Sequence, residues 1–85
     1  MAKIEIYTKT PCPFCVNAKQ LLGSLGAEYQ EINISESPER MQEMLDRTGG
    51  RTTVPEIFIN EQLIGGFDSL LDLHRKGELT KLISE

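Results

Sequence analysis

Thr10-Pro11-Cys12-Pro13-Phe14-Cys15 constrains this chain more than any other stretch. It holds both cysteines of the protein. Before it, Lys3-Ile4-Glu5-Ile6-Tyr7-Thr8 alternates apolar and polar residues and reads as a first strand. After it, an apolar pattern of helical period begins at Phe14. Pro11 keeps Thr10 extended, and Pro13 suits the first helical position, where a missing N–H costs nothing. Cys12 then falls at the N-cap. There its sulfur meets unpaired backbone N–H groups and the positive end of the helix dipole, which favour thiolate over thiol. Lys9 adds charge in the same sense. Cys15 lies on the same helix face, within disulfide reach, and between Phe14 and Val16 it should be more buried and less ionised. A Cys-x-x-Cys at such a junction reads as a redox dithiol in which Cys12 attacks and Cys15 resolves the mixed disulfide.

Plainer readings of the pair exist. A structural disulfide would close a four-residue loop, which restrains the unfolded chain little. A zinc site needs four ligands, and the chain offers two cysteines and His74 unless two chains share a site. Two inert core cysteines would not need prolines holding Cys12 at a helix start.

At 85 residues the chain is expected to form one domain, 1–85. With 26% charged and 39% apolar residues it fits a folded, soluble protein rather than a disordered one. No apolar run is long enough to cross a membrane. Met1-Ala2-Lys3-Ile4-Glu5 has neither the apolar core nor the cleavage site of a secretion signal, so a cytoplasmic protein is expected. A net charge of −4, spread along the chain, argues against a general nucleic-acid binder. Nothing demands an oligomer, and a monomer is expected.

Phe14, Ala18, Leu21, Leu22 and Leu25 define the inward face of the first helix, and Gly26 is its natural terminator. Residues 28–34 read as a second strand, parallel to the first across the helix. Ser37 can cap a second helix begun by Pro38, with Met41, Met44, Leu45 and Thr48 inward and Gly49-Gly50 ending it. Ile57-Phe58-Ile59 and Gln62-Leu63-Ile64, joined at Asn60-Glu61, read as an antiparallel hairpin. Asp68 or Ser69 can cap a last helix carrying Leu70, Leu71 and a partly buried His74. Gly77 interrupts it, and Leu79, Leu82 and Ile83 suggest one more turn. The order β-α-β-α-β-β-α gives an α/β fold with helices on both faces of a four-stranded mixed sheet.

This order, with a dithiol at the first strand–helix junction, resembles the thioredoxin fold. Cys12-Pro13-Phe14-Cys15, Thr53-Val54-Pro55 and Gly65-Gly66-Phe67-Asp68 together resemble the dithiol glutaredoxins, and Arg51-Thr52-Thr53-Val54-Pro55 looks most like the small bacterial type. The resemblance spans essentially the whole chain. It implies a glutathione-dependent thiol–disulfide oxidoreductase that reduces protein disulfides and glutathione mixed disulfides. Glutathione would be electron donor and cosubstrate, with no tightly bound cofactor and no metal. Partners would be glutathione and disulfide-containing or glutathionylated proteins, with ribonucleotide reductase and a sulfate-activating reductase as family-level targets.

The resemblance also implies a cis bond before Pro55, turning the Val54 backbone toward glutathione like an added strand. Gly65 and Gly66 would allow unusual φ angles and close approach of a ligand. The Phe67 and Asp68 N–H groups would take the γ-glutamyl carboxylate at a helix start. Asp68 would accept from the ammonium group, and Lys9 would face the glycyl carboxylate with help from Arg51. Phe14 would line the groove where many relatives carry tyrosine. Thr53 and Gly66 complete the implied set, and Gln42 is a lesser candidate. As lone residues, Lys9, Arg51 and Gln42 read as solvated side chains. Two other functions fit the same framework: a redoxin fed by a thioredoxin reductase, and an iron–sulfur cluster carrier, which the stiff Pro13 loop disfavours.

Overall fold

All five residues of β1 (Ile4–Thr8) are buried, because the strand runs inside the sheet with neighbours on both edges. The computed structural model describes residues 2–84. After β1 come α1 (Pro13–Ser24), β2 (Gln30–Asn33), a single 3₁₀ turn (Pro38–Arg40), α2 (Met41–Thr48), β3 (Glu56–Ile59), β4 (Gln62–Gly65), α3 (Phe67–Arg75) and α4 (Leu79–Ser84). The sheet order is β2-β1-β3-β4. β1 and β2 run parallel, with Glu5 opposite Gln30 and Thr8 opposite Asn33. β3 is antiparallel to β1 and to β4, so Tyr7 lies opposite Glu56 and Ile57 opposite Gly65.

Strand alternation sorts the apolar residues into two cores. Ile4, Ile6, Ile57 and Ile59 meet Ala18 and Leu22 of α1, Leu70 of α3 and Leu79 of α4 on one face. Tyr7, Ile32, Ile34 and Phe58 meet Met44 of α2 on the other. The mixed sheet covered on both faces is thus the architecture expected from the order of elements. At the end of α1, Gly26 takes φ +70°, and Ala27 N donates to Leu22 O (3.0 Å). That left-handed residue closes the helix as its sequence suggested. Asn60 and Glu61 both adopt positive φ (51° and 69°) in the hairpin turn. Asn60 Oδ1 is further fixed by accepting from Lys3 N at 2.9 Å.

Several local expectations are corrected. The second strand covers only Gln30–Asn33, and Ile34 lies beyond its end, where its N–H donates to Thr8 O (2.8 Å). Ser37 makes no side-chain capping bond, since the chain enters α2 through the 3₁₀ turn. Leu45 is half-buried, whereas Met44 and Thr48 are fully covered. β3 begins one residue early, at a buried Glu56. Phe14 does not belong to the inward face of α1, which is Cys15, Ala18 and Leu22; it is 58% exposed. The last long helix starts at Phe67 with Gly66 as N-cap, so Asp68 and Ser69 sit in its first turn rather than capping it. His74 is exposed: the inward stripe of α3 runs through Phe67, Leu70 and Leu73, and His74 falls in the final turn outside it. Among the described residues no helix is long and apolar enough to cross a membrane.

Candidate active site

The dithiol sits where β1 hands over to α1. Cys12 is the N-cap (φ −155°, ψ 99°), Pro13 opens the helix, and Cys12 Sγ accepts from Cys15 N at 3.1 Å. A sulfur so placed receives a backbone donor and the positive end of the helix together. Cys12 and Cys15 are joined as a disulfide, with Cα atoms 5.2 Å apart. Cys15 is buried and Cys12 is partly exposed, the asymmetry that attacking and resolving roles require.

The loop carrying Cys12 is pinned from β2. Asn33 Nδ2 donates to Thr10 Oγ1 (2.7 Å), and Thr10 N donates to Ser35 Oγ (3.0 Å). Asn33 Oδ1 in turn accepts from Ser35 N (2.9 Å). The Thr10–Pro11 and Val54–Pro55 peptide bonds are both cis. The second was expected and the first was not. Val54 O lies 3.9 Å from Cys12 Sγ, which puts the Thr53-Val54-Pro55 segment beside the dithiol.

Beside that segment lies a cleft of about 380 Å³. Its walls come from three separated stretches: Phe14 at the start of α1; Arg51, Thr53, Val54 and Pro55 before β3; and Gly66, Phe67, Asp68 and Ser69 at the start of α3. Phe14 and Phe67 stack across it, with centroids 6.4 Å apart and planes at 27°. That contact holds Phe14 out of the core and against the cleft. Gly65 takes φ +116°, a conformation L side chains rarely adopt, and a Cβ there would stand 3.0 Å from Ser69 Oγ. Gly66, by contrast, has an ordinary negative φ (−89°), so only the first glycine of the pair needs its conformational freedom.

Eight of the eleven residues singled out from the sequence for the dithiol and its ligand thus line this one cleft. Cys12 adjoins it through Val54, and the buried Cys15 is joined to it only through Cys12. Lys9 lies on the other side of the dithiol, in a separate groove with Pro11, Cys12 and Val16. Gln42 is turned away and donates to Asp46 Oδ1 (2.9 Å) along α2. Ser69 was missed, although it directly follows the glycine motif. Glu56 was missed too, and nothing in its local sequence marks a glutamate as buried. It is 0% exposed beneath the cleft, where its Oε2 accepts from Arg51 Nε (3.1 Å) and Thr53 Oγ1 (3.0 Å).

A second polar cluster lies across the sheet from α1. Tyr7 donates to Glu43, Arg47 Nη1 donates to the Tyr7 hydroxyl (2.9 Å), and Arg47 Nη2 bonds Glu5 Oε1 at 2.9 Å. The hydrogen bonds from Tyr7 and Arg40 hold the Glu43 carboxyl below its ordinary range. Burial, with the bond to Glu43, pushes the Tyr7 phenol up. This cluster fastens α2 to the sheet and does not touch the cleft. Among the described residues, no three histidine, cysteine or acidic side chains gather as a metal site.

A family model described as glutaredoxin matches residues 4–64, from β1 through the dithiol to β4. The chain belongs to the glutaredoxin family. Glutaredoxin 3 of Escherichia coli is 49% identical over 83 residues, covering 98% of this chain and 99% of the relative. A glutaredoxin of Pseudomonas aeruginosa is 46% identical, covering 99% of both chains. Among solved structures, a buckwheat glutaredoxin–glutathione complex superposes with a TM-score of 0.86 at 35% identity, covering 98% of this chain and 77% of that one. The solution structure of a Brucella melitensis glutaredoxin gives a TM-score of 0.82 at 44% identity, covering 98% and 89%. The fold is therefore the thioredoxin-like one of the glutaredoxins. As a glutaredoxin the chain is a thiol–disulfide oxidoreductase, and Cys12–Cys15 is its redox pair.

Proposed function

We propose that this protein is a cytoplasmic, single-domain, monomeric reductant of protein disulfides and glutathione mixed disulfides, fed by glutathione. The observation that carries the reading is the cleft of about 380 Å³ between Val54, which adjoins Cys12, and the start of α3. Its ends suit such a ligand. A thiol end meets Cys12 beside Val54, and a carboxylate end meets the first N–H groups of α3 or the Arg51 guanidinium. Val54 and Pro55 present backbone to the ligand, Phe14 and Phe67 cover its aliphatic part, and Thr53, Gly66 and Asp68 contact its polar groups. Lys9, on the far side of Cys12, serves a glycyl carboxylate that reaches past the sulfur.

In the chemistry, the Cys12 thiolate attacks the glutathione sulfur of a mixed disulfide. The S–S bond breaks, the substrate leaves as a thiolate, and Cys12 carries glutathione. A second glutathione thiolate attacks that sulfur, releasing glutathione disulfide and the Cys12 thiolate. With a protein disulfide, Cys12 attacks one sulfur and Cys15 displaces the substrate. Glutathione then reduces the Cys12–Cys15 bond.

The test is turnover of a small glutathione mixed disulfide, with glutathione, glutathione reductase and NADPH regenerating the donor. Wild type turns over and Cys12→Ser does not. A folded, reduced wild type without turnover sinks the reading, and a thioredoxin reductase is then the donor to supply.

A further inference from the structure

Glu56 presents a physical problem that the redox chemistry leaves unsolved. Its side chain is 0% exposed, yet only one carboxylate oxygen is used. Oε2 accepts from Arg51 and Thr53, while Oε1 is buried with no hydrogen-bond partner among the described residues. Burying a carboxylate is expensive, and an apolar side chain of similar size commonly stabilises as well or better. Stability therefore does not account for glutamate at this place.

Its surroundings do. Glu56 opens β3, an interior strand, and is held opposite Tyr7 of β1, so the carboxylate stands on a paired strand inside the sheet. Both of its partners belong to the exposed segment before that strand, and both line the cleft. Glu56 is thus a buried anchor for two exposed cleft side chains.

The manner of the bond to Arg51 matters. Glu56 takes Nε alone. Nη1 and Nη2 make no hydrogen bond among the described residues, and Nη2 is 3.8 Å from where a Cβ on Gly65 would stand. The outer edge of the guanidinium, with its two parallel donors, is left unused beside the cleft. That edge matches a carboxylate in two-pronged geometry.

We infer that Glu56 is a positioning residue that holds Arg51 by Nε so that its Nη edge receives a carboxylate of the peptide thiol bound in the cleft. The inference rests on the proposed glutathione dependence. It predicts the sign of an effect. If Glu56 merely cancelled the charge of Arg51, its removal would free a cation and tighten binding of an anionic peptide. If it orients the guanidinium, its removal weakens binding.

The experiment is steady-state turnover of a glutathione mixed disulfide with glutathione varied, on wild type, Glu56→Gln, Arg51→Lys, Arg51→Ala and the double variant Glu56→Gln with Arg51→Ala. Circular dichroism checks folding. No turnover by wild type overturns the glutathione reading and this inference with it. Where wild type turns over, Glu56→Gln is expected to raise KM for glutathione about tenfold, the scale of one charge-assisted hydrogen bond, and to affect kcat less. Arg51→Lys should do the same, because one ammonium cannot serve both Glu56 and the ligand edge. Glu56→Gln should add nothing in the Arg51→Ala background. An unchanged or lowered KM in folded Glu56→Gln overturns the inference while leaving the glutathione reading intact. Should Glu56→Gln not fold, Arg51→Lys decides: a wild-type KM there shows that a point charge suffices and overturns the oriented edge.

Discussion

At Cys12 the backbone is extended, and at the next residue it is helical, so the sulfur stands over the open end of α1. The Cys15 N–H donates to that sulfur at 3.1 Å, as it would to any capping acceptor. Cys15 is buried in the core and bonded to Cys12. Removing Cys15 should therefore separate the two branches of activity: Cys15→Ser keeps turnover of glutathione mixed disulfides and loses reduction of a protein disulfide such as that of insulin. Equal loss of both would assign Cys15 a part in the first branch. Gly65 makes a second claim at this scale. With φ +116° and 3.0 Å between a Cβ and Ser69 Oγ, Gly65→Ala carries both strain and a clash. A loss of about 1–3 kcal/mol is expected, read from urea unfolding. A smaller loss would mean that the turn into α3 relaxes freely.

Elements enter through what they tie together. α1 can place Cys12 only as firmly as the loop before it is held, and that hold comes from β2. Asn33 donates to Thr10 and accepts from both Ser35 N (2.9 Å) and Glu36 N (3.3 Å), joining the active loop to the turn after β2. Asn33→Ala should cost about 1 kcal/mol, since these bonds are partly exposed. Its larger effect should be local. Amide exchange at Thr10 and at the turn amides Ser35 and Glu36 quickens, while the core strands stay protected. Unaltered exchange there would show the loop to be held by its prolines alone. α2 is secured differently. Besides Met44 in the core, it relies on Arg47, which lies 4.0 Å over the Phe58 ring and bonds Glu5 and Tyr7. Sequence periodicity saw the methionines but not this polar fastening, because Glu5 and Tyr7 on β1 are far along the chain from Glu43 and Arg47 on α2.

For the whole molecule, the charged groups set a pH window. Glu43 sits below its ordinary range through the bonds from Tyr7 and Arg40. Burial alone would raise Glu31, but the bonds from Thr8 and Lys19 outweigh it and bring the carboxyl down. A group whose folded value is depressed contributes stability above its unfolded value and loses it as pH falls through the folded one. Tyr7 is shifted the other way, chiefly by burial. Its contribution is complete below the ordinary phenol value and is lost as pH rises beyond it. Urea midpoints should therefore be flat around neutrality, fall on acidification through the carboxylate range, and fall again in strong alkali. Glu43→Gln should flatten the acid limb. An acid limb identical to wild type would show that Glu43 gains nothing from the fold.

The same division by distance separates what could be read along the chain from what could not. The dithiol at a helix start, Pro13 at its first position, the Gly26 stop, the Asn60-Glu61 turn and the order of strands and helices all rest on contacts between residues a few positions apart. Period and capping chemistry report such contacts directly. The exposure of Phe14, the placing of Lys9 across the dithiol, and the buried Glu56 rest on which strand lies beside which. Phe14 repeats in register with the inward face of α1, yet Phe67, 53 positions later, supplies the ring it stacks on. Glu56 looks like any solvated glutamate until β1 pairs against it and Arg51 bonds its carboxylate. Side-chain type and local period determine which elements form; only closure of the sheet brings distant segments within hydrogen-bond range, and the cleft exists only after that closure.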